Sequence, residues 1–121
     1  MTNKKLTVDV TVSGTPTNPV FHFNPETVTV TASDSKIYYL LNREQSLGLV
    51  LAGVVFPYND QSPGSIVSDI TSFKVKDAGY QLSVKDSNKN EGDIGMCLLL
   101  TNSDGEVFKS QDPQVKNRPT S

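Results

Sequence analysis

Strict alternation of apolar and polar residues marks several segments of this chain. It runs through residues 6–12 and again through residues 27–32, and a period of two residues is the pattern of a strand with one buried and one solvated face. Residues 73–76 and 80–85 alternate in the same way on either side of the short segment 77–79. Because a short turn between two such segments closes a hairpin, they predict a pair of antiparallel strands.

Residues 94–102 form the longest apolar run in the second half of the chain. Every residue from 96 to 100 is apolar, so a strand here presents apolar side chains on both faces. A strand that needs cover on both sides is expected in the centre of its sheet. The Asp-Gly pair at 104–105 then predicts a tight hairpin leading to a strand over residues 106–110.

Three further segments complete the predicted strands. Residues 37–41 are apolar on both faces, which predicts a strand inside its sheet. Residues 47–56 are apolar but interrupted by Gly48 and Gly53. The glycines disfavour a helix, so we expect a strand with a bulge at a glycine. Residues 66–70 fit either a short strand or one helical turn.

Two polar stretches predict loops, a long exposed one at residues 58–65 and a second at 86–93. Strands that recur roughly every ten residues with turns between them are typical of a sandwich. We therefore predict an all-β chain, a single antiparallel β-sandwich domain over residues 1–121 with about seven to nine strands. It should be immunoglobulin-like or cupredoxin-like, without a metal site, and its tail should fray from about residue 117.

The net charge of −2 at pH 7 is spread along the chain, with acidic and basic residues interleaved. Because no stretch is strongly basic, we expect neither nucleic acid nor a membrane as a partner. No apolar run approaches the roughly 20 residues of a membrane-spanning helix. The first residues lead directly into a strand and not into the apolar core of a signal peptide. The expected compartment is the cytoplasm, which agrees with the single cysteine, Cys97.

The chain offers little recognisable catalytic or cofactor chemistry. His22 is the only histidine. It lies in a short run at residues 20–23, which is a different predicted strand from that of Cys97. A buried thiol behaves as a small inert hydrophobic group, so we expect no catalytic dyad. A copper site is set aside because a second histidine is missing and Met96 points to the opposite face from Cys97. We predict no catalytic residue, no cofactor and no metal ligand.

Residues 86–93, Asp-Ser-Asn-Lys-Asn-Glu-Gly-Asp, place oxygen-bearing side chains at alternate positions, as at the start of an EF-hand loop. The glycine comes one position late, at Gly92, and strands replace the flanking helices. We favour a solvated turn, because Asn, Asp and Gly are good turn residues, and keep a calcium site as the alternative. In loop 58–65, Tyr58 is a candidate contact residue for a sugar or a protein.

The end of the chain combines turn-forming side chains with prolines. Asp112 can accept hydrogen bonds from backbone amides that follow it while Pro113 fixes the turn, and Asn117 can do the same before Pro119. We therefore expect residues 112–115 to dock as an extended segment along a sheet edge.

Three segments together resemble a known family. They are Phe21, Phe23 and Pro25 in a Phe-x-Phe-x-Pro segment, the Asp-Gly hairpin, and Asp-Pro-x-Val-x-Asn-x-Pro at residues 112–119. They resemble small bacterial proteins of the DP-EP family, although the chain contains no Glu-Pro dipeptide. The resemblance implies a β-sandwich of uncharacterised function and brings no catalytic residue.

A non-catalytic binding or assembly module is the function that we expect. Antiparallel sandwiches expose sheet edges that can pair across a two-fold axis, so the expected partner is a second copy in a homodimer, or another protein. The alternative is a calcium-dependent or carbohydrate-binding β-sandwich that uses the loops at 58–65 and 86–93.

Overall fold

Strands dominate the part of the chain that the computed structural model describes, residues 5–56, 64–111 and 114–119. The eleven strands there are β1 (Lys5–Thr15), β2 (Asn18–Asn24), β3 (Thr27–Val30), β4 (Ser35–Leu41), β5 (Val50–Val55), β6 (Ile70–Lys76), β7 (Gln81–Asp86), β8 (Gly92–Gly95), β9 (Cys97–Thr101), β10 (Val107–Lys109) and β11 (Gln114–Asn117). A single helical turn, α1 (Gly64–Val67), and two 3-10 turns, Arg43–Gln45 and Asp77–Gly79, accompany them.

The strands form three sheets. The largest has the order β2-β1-β4-β7-β6, and the others have the orders β10-β9-β5 and β3-β11-β8. The predicted all-β, sandwich-like fold is confirmed. Most pairings are antiparallel as predicted, but β1 with β4 and β3 with β11 are parallel. Both parallel pairs join strands that are far apart in the chain, and only such long connections let a strand return in the same direction.

The core lies between the inner faces of these sheets. Alternate residues of β1 and β4, such as Val10 and Tyr39, are fully buried, and β4 lies between β1 and β7 as the apolar pattern predicted. Leu98 and Leu100 of β9 enter the same cluster, to which all three sheets contribute. The buried set therefore follows the period of two residues that the sequence shows.

The run at residues 94–102 is two strands and not one. β8 and β9 belong to different sheets, with Met96 between them. Sandwich chains commonly pass from one sheet to another at such a corner. Met96 is buried, and the Tyr39 hydroxyl donates a hydrogen bond to its sulfur at 3.6 Å. The central position predicted for this run is confirmed for β9, which lies between β10 and β5.

Several local predictions are confirmed. A turn containing Gly105, with φ of +82°, joins β9 to β10, and the register of β5 against β9 shifts between Leu51 and Gly53 as expected for a bulge. The ambiguous segment 66–70 contains the end of a helical turn and the start of β6 at Ile70.

Tyr58 and the rest of residues 57–63 lie outside the described residues. No helix in the described ranges is long and apolar enough to cross a membrane.

Candidate functional site

Polar side chains occupy one end of the otherwise apolar core. Asp86 is the last residue of β7 and faces the core, two positions after the buried Val84. Asn117 is the last residue of β11 and lies two positions after the buried Val115. Because alternate residues of a strand share a face, both polar side chains point inward, and both are 0% exposed.

The side-chain amide of Asn117 joins two carboxylates. Its Nδ2 atom donates to Asp86 Oδ1 at 3.0 Å and to Asp69 Oδ2 at 2.9 Å. Asp69 follows α1 and is also buried. A buried carboxylate is tolerated only when it accepts hydrogen bonds, so this single amide stabilises both acidic groups and ties β11 to β7 and to the segment after α1.

Residues of the loop at 86–93 complete this group of side chains, which we call the buried polar cluster. Asp69, Asp86, Asn88 and Asn117 are buried, and the exposed Asn90 lies at the edge of the cluster. The Asn88 backbone amide donates to Asp86 Oδ1 at 2.8 Å. The Asn90 backbone amide and Nδ2 donate to the two Asp69 oxygens at 2.8 and 2.7 Å. Residues 86–88 are buried, so the prediction of a solvated turn is wrong for them. Asp86 Oδ1 and the two amide groups of Asn88 form hydrogen bonds within the protein, which offsets part of the free-energy cost of burying them.

Burial is the main electrostatic influence on the cluster, and it raises the pKa of Asp86 to about 6. Hydrogen bonds from Asn88 and Asn117 oppose this rise, while the charge of Asp69 adds to it. Burial also raises the pKa of the Tyr39 hydroxyl above its ordinary value, with a contribution from Asp86. Tyr39 is therefore neutral at physiological pH, whereas Asp86 can gain a proton under mildly acidic conditions.

The cluster contains more acceptors than donors. Asp86 Oδ2, Asn88 Oδ1 and Asn117 Oδ1 are buried oxygens that accept no hydrogen bond from the described residues. A proton on Asp86 would add a donor among these three acceptors, and it would remove one of two neighbouring negative charges. The ionised form of Asp86 is therefore less favourable in the folded chain than in the unfolded chain.

Replacing Asp86 by Asn should stabilise the protein near neutral pH. The pKa of Asp86 is higher in the folded chain than in the unfolded chain. The contribution of Asp86 to the free energy of unfolding is therefore fully present below about pH 4 and is lost as the pH rises through about 6. We expect Asp86→Asn to gain about 2–3 kcal/mol at pH 7 and little at pH 4. Urea unfolding of both proteins at the two pH values measures this difference.

Glu91→Gln is the matched control for this prediction, because it removes the same charge from an exposed position in the same loop. Its stability should follow the wild type at both pH values within about 0.5 kcal/mol. A gain for Asp86→Asn that is equally large at pH 4 would show that the charge of Asp86 is not its source.

A comparison with protein families matches residues 4–119 to the DP-EP family. The chain belongs to the DP-EP family. The match covers almost the whole chain and confirms the resemblance based on its aromatic and terminal segments. No curated protein matches the chain.

The terminal segment of this DP-EP chain lies inside the fold. β11 was expected along a sheet edge, but it lies in the centre of its sheet, between β3 and β8. Fraying was expected from about residue 117, yet Asn117 is buried. The Arg118 backbone amide donates to Val30 O at 2.9 Å, and its guanidinium pairs with Asp93. Asp112 and Pro113 lie outside the described residues.

The aromatic segment of the DP-EP chain lines a surface groove. Phe21 and Phe23 of β2 pack against the core and also line an opening of about 310 Å³, together with Val20, Glu26 and Lys109. β2 and β10 are edge strands of two different sheets, and the groove runs between them. We call it the β2–β10 groove. It combines apolar side chains with one acidic and one basic residue.

The other candidate residues of the DP-EP chain are not brought into one site. His22 is exposed, and its Nε2 atom is 2.8 Å from Ser13 Oγ on the neighbouring strand. Cys97 is a free, buried thiol in β9. Among the described residues no three His, Cys, Asp or Glu side chains form a group suited to a metal ion.

Proposed function

We propose that this DP-EP chain is a non-catalytic binding or assembly module and that it forms a homodimer through the β2–β10 groove. The main support for the proposal is that β2 and β10 are both edge strands and that both carry exposed apolar side chains. Val20 of β2 is 48% exposed and Val107 of β10 is 62% exposed. An edge strand offers unpaired backbone groups to a partner, and exposed apolar residues at such an edge favour association.

The charges of the groove support a second copy as the partner. Glu26 and Lys109 both line it and are both exposed. In an interface with two-fold symmetry, the same surface meets itself, so the acid of one copy can lie against the base of the other. A groove with one charge of each sign is therefore self-complementary.

Replacing Val20 by Lys should abolish dimer formation. The variant brings a charge, and in the two-fold dimer two charges, into the apolar part of the contact. Sedimentation velocity at micromolar concentrations should show a dimer for the wild type and a monomer for Val20→Lys. Val75→Lys is the control, since Val75 lies on β6, the opposite edge of the same sheet, and is 36% exposed. A wild type that stays monomeric throughout this range contradicts the proposal.

The non-catalytic part of the proposal has its own test. Ser13 and His22 form a hydroxyl–imidazole pair, and the described hydrogen bonds of His22 include no third group that would orient its ring, as a catalytic triad requires. We expect a fluorophosphonate probe to label the protein no faster than the Ser13→Ala variant. Rapid labelling that Ser13→Ala abolishes would show an activated serine and contradict this part.

We propose a calcium-dependent or carbohydrate-binding β-sandwich as the alternative function, with the loops at 58–65 and 86–93. The calcium half is favoured by Asp86 Oδ2 and Asn88 Oδ1, two buried oxygens without a hydrogen-bond donor among the described residues, because Ca²⁺ takes such carboxylate and amide oxygens. A ligand that binds the folded chain alone raises its Tm. An unchanged Tm with calcium and with a panel of glycans discards this alternative.

The location, the source and the strand connectivity of the protein are also proposals. We propose a cytoplasmic location, a bacterial source and an immunoglobulin-like or cupredoxin-like connectivity. The unpaired Cys97 supports a reducing compartment, and the sandwich-like arrangement of mixed sheets supports the connectivity.

A further inference from the structure

A row of lysines crosses the outer face of the five-stranded sheet. Lys5 of β1 lies opposite Lys36 of β4, and Lys36 lies opposite Lys85 of β7. Opposed residues on neighbouring strands project from the same face, and the strands are about 4.8 Å apart. All three side chains are exposed. Three positive charges therefore stand side by side, although they are far apart in the sequence.

Two further lysines extend this charged face to the edge of the sheet. Lys74 and Lys76 of β6 lie opposite Ser83 and Gln81 of β7. Since Ser83 and Gln81 alternate with the core residues of β7, both lysines project from the outer face. Side chains of Lys36, Lys74 and Lys85 line a hollow of about 260 Å³, together with Ser72 and Ser83. We call this surface the lysine face.

The positive charges of the lysine face are not neutralised by ion pairs among the described residues. Like charges directly opposite each other in a sheet are destabilising. In the part of the chain that the structure describes, the two ion pairs are Arg43–Asp77 and Arg118–Asp93, and neither includes a lysine of this face. The chain as a whole carries a charge of −2, so its composition does not account for this concentration of positive charge. An anionic ligand would relieve the repulsion.

An aromatic ring on the same face indicates which anion fits. Tyr38 of β4 lies opposite Ser83, so its half-buried ring projects among the lysines, with Lys5 Nζ 5.9 Å from the centre of the ring. Phe73 of β6 lies opposite the core residue Val84 and therefore projects from the other face of the sheet. Single-stranded nucleic acids bind to surfaces that pair cationic groups for the phosphates with aromatic rings for stacking of the bases. An acidic peptide would use the lysines but would leave the ring of Tyr38 without a role.

We propose that the lysine face, with Tyr38 among its lysines, binds a single-stranded nucleic acid. No stretch of the chain is basic, and the sequence alone therefore predicts no nucleic-acid partner. The strand register now unites lysines from four strands, so that ground does not apply to the folded chain. This proposal is independent of the β2–β10 groove and of dimer formation.

Fluorescence anisotropy with a labelled oligothymidylate of about 15 nucleotides, the upper range of site sizes for single-stranded binders, tests the proposal. At low salt we expect a Kd on the order of 10⁻⁵ M, typical of binding without sequence preference. For three to four phosphate contacts, log K should fall against log salt with a slope of about −2 to −3. No binding at low salt would overturn the proposal.

Lys36→Glu tests the position of the site. It should weaken oligonucleotide binding about tenfold or more, because it removes the central cation and adds an anion. The new carboxylate would lie between Lys5 and Lys85, so the Tm should be no lower than that of the wild type. Lys89→Glu makes the same charge change in the exposed part of the 86–93 loop and should leave affinity within about twofold. Equal binding by Lys36→Glu and the wild type would place the site elsewhere and overturn the proposal.

The variant Tyr38→Ala and a competitor distinguish nucleic acid from other polyanions as the ligand. Loss of the stacking ring should weaken oligothymidylate binding by about fivefold or more and leave binding of inorganic polyphosphate unchanged. Poly-glutamate of equal charge should compete weakly. If poly-glutamate competes as well as the oligonucleotide, or if Tyr38→Ala binds the oligonucleotide normally, the face is a surface for acidic chains and the nucleic-acid proposal is overturned.

Discussion

Asn117→Ala should lower the free energy of unfolding by about 3–5 kcal/mol. The Asn117 amide donates to Asp69 and to Asp86, so its removal takes one hydrogen bond from each of two buried carboxylates. Each carboxylate keeps its hydrogen bonds from Asn88 or Asn90. A hydrogen bond to a charged group contributes about 1.5–3 kcal/mol, so the loss of two such bonds is a large effect for a single change. Urea unfolding followed by circular dichroism at pH 7 measures the loss.

Arg118→Ala is the matched control, since it changes the next residue of the chain and removes the ion pair with Asp93. That pair is partly exposed, with 39% and 32% of the two side chains accessible, and such pairs contribute about 0–1 kcal/mol. We therefore expect a loss several times smaller than for Asn117→Ala. Comparable losses for the two variants would mean that Asn117 contributes only by lying in β11 and not through the carboxylates.

Local features of this fold were predictable from the sequence. The β6–β7 and β9–β10 hairpins follow from alternation on either side of a short turn, because the interacting residues are close in the chain. The buried polar cluster was not predictable in this way. Asn117 lies 48 residues from Asp69 and 31 from Asp86, and nothing local indicates which distant strands will meet.

One sequence signal could have indicated the cluster. Asp86 continues the alternation of Leu82 and Val84, and Asn117 occupies the position two after Val115. A polar residue that falls on the apolar face of a strand predicts either the end of the strand or a buried hydrogen-bonding group. We interpreted both residues as turn formers. The structure shows that both are the last residue of a strand and are also buried.

The lysine face, like the buried polar cluster, unites residues that are far apart in the sequence, and it too was not predictable from local patterns. Lys36, Lys74 and Lys85 each occupy an outward position in an alternating strand, and each is ordinary when its strand is considered alone. Their proximity depends on the register between β4, β7 and β6. Net charge and charge distribution along the chain therefore exclude a basic surface only after the strand order is known.

Gly79→Ala should destabilise the protein by about 2–4 kcal/mol, by a mechanism unrelated to charge. Gly79 ends the 3-10 turn between β6 and β7 and has φ of +94°, in the left-handed region that disfavours other residues. A Cβ atom there would lie 2.6 Å from Val50 Cβ and 3.2 Å from the Leu51 carbonyl oxygen. The added methyl group would force β5 away from the turn.

The variant Gly105→Ala separates the cost of the left-handed backbone conformation from the cost of the steric contact with β5. Gly105 has φ of +82°, but a Cβ atom there would meet no other atom within 4 Å. It should therefore lose only the backbone term, about 1 kcal/mol. Thermal unfolding of both variants measures the difference, which reports how closely the β6–β7 turn packs against β5. Equal losses of stability for the two variants would contradict the prediction. They would mean that the β6–β7 turn of the five-stranded sheet does not contact β5 of the β10-β9-β5 sheet in solution.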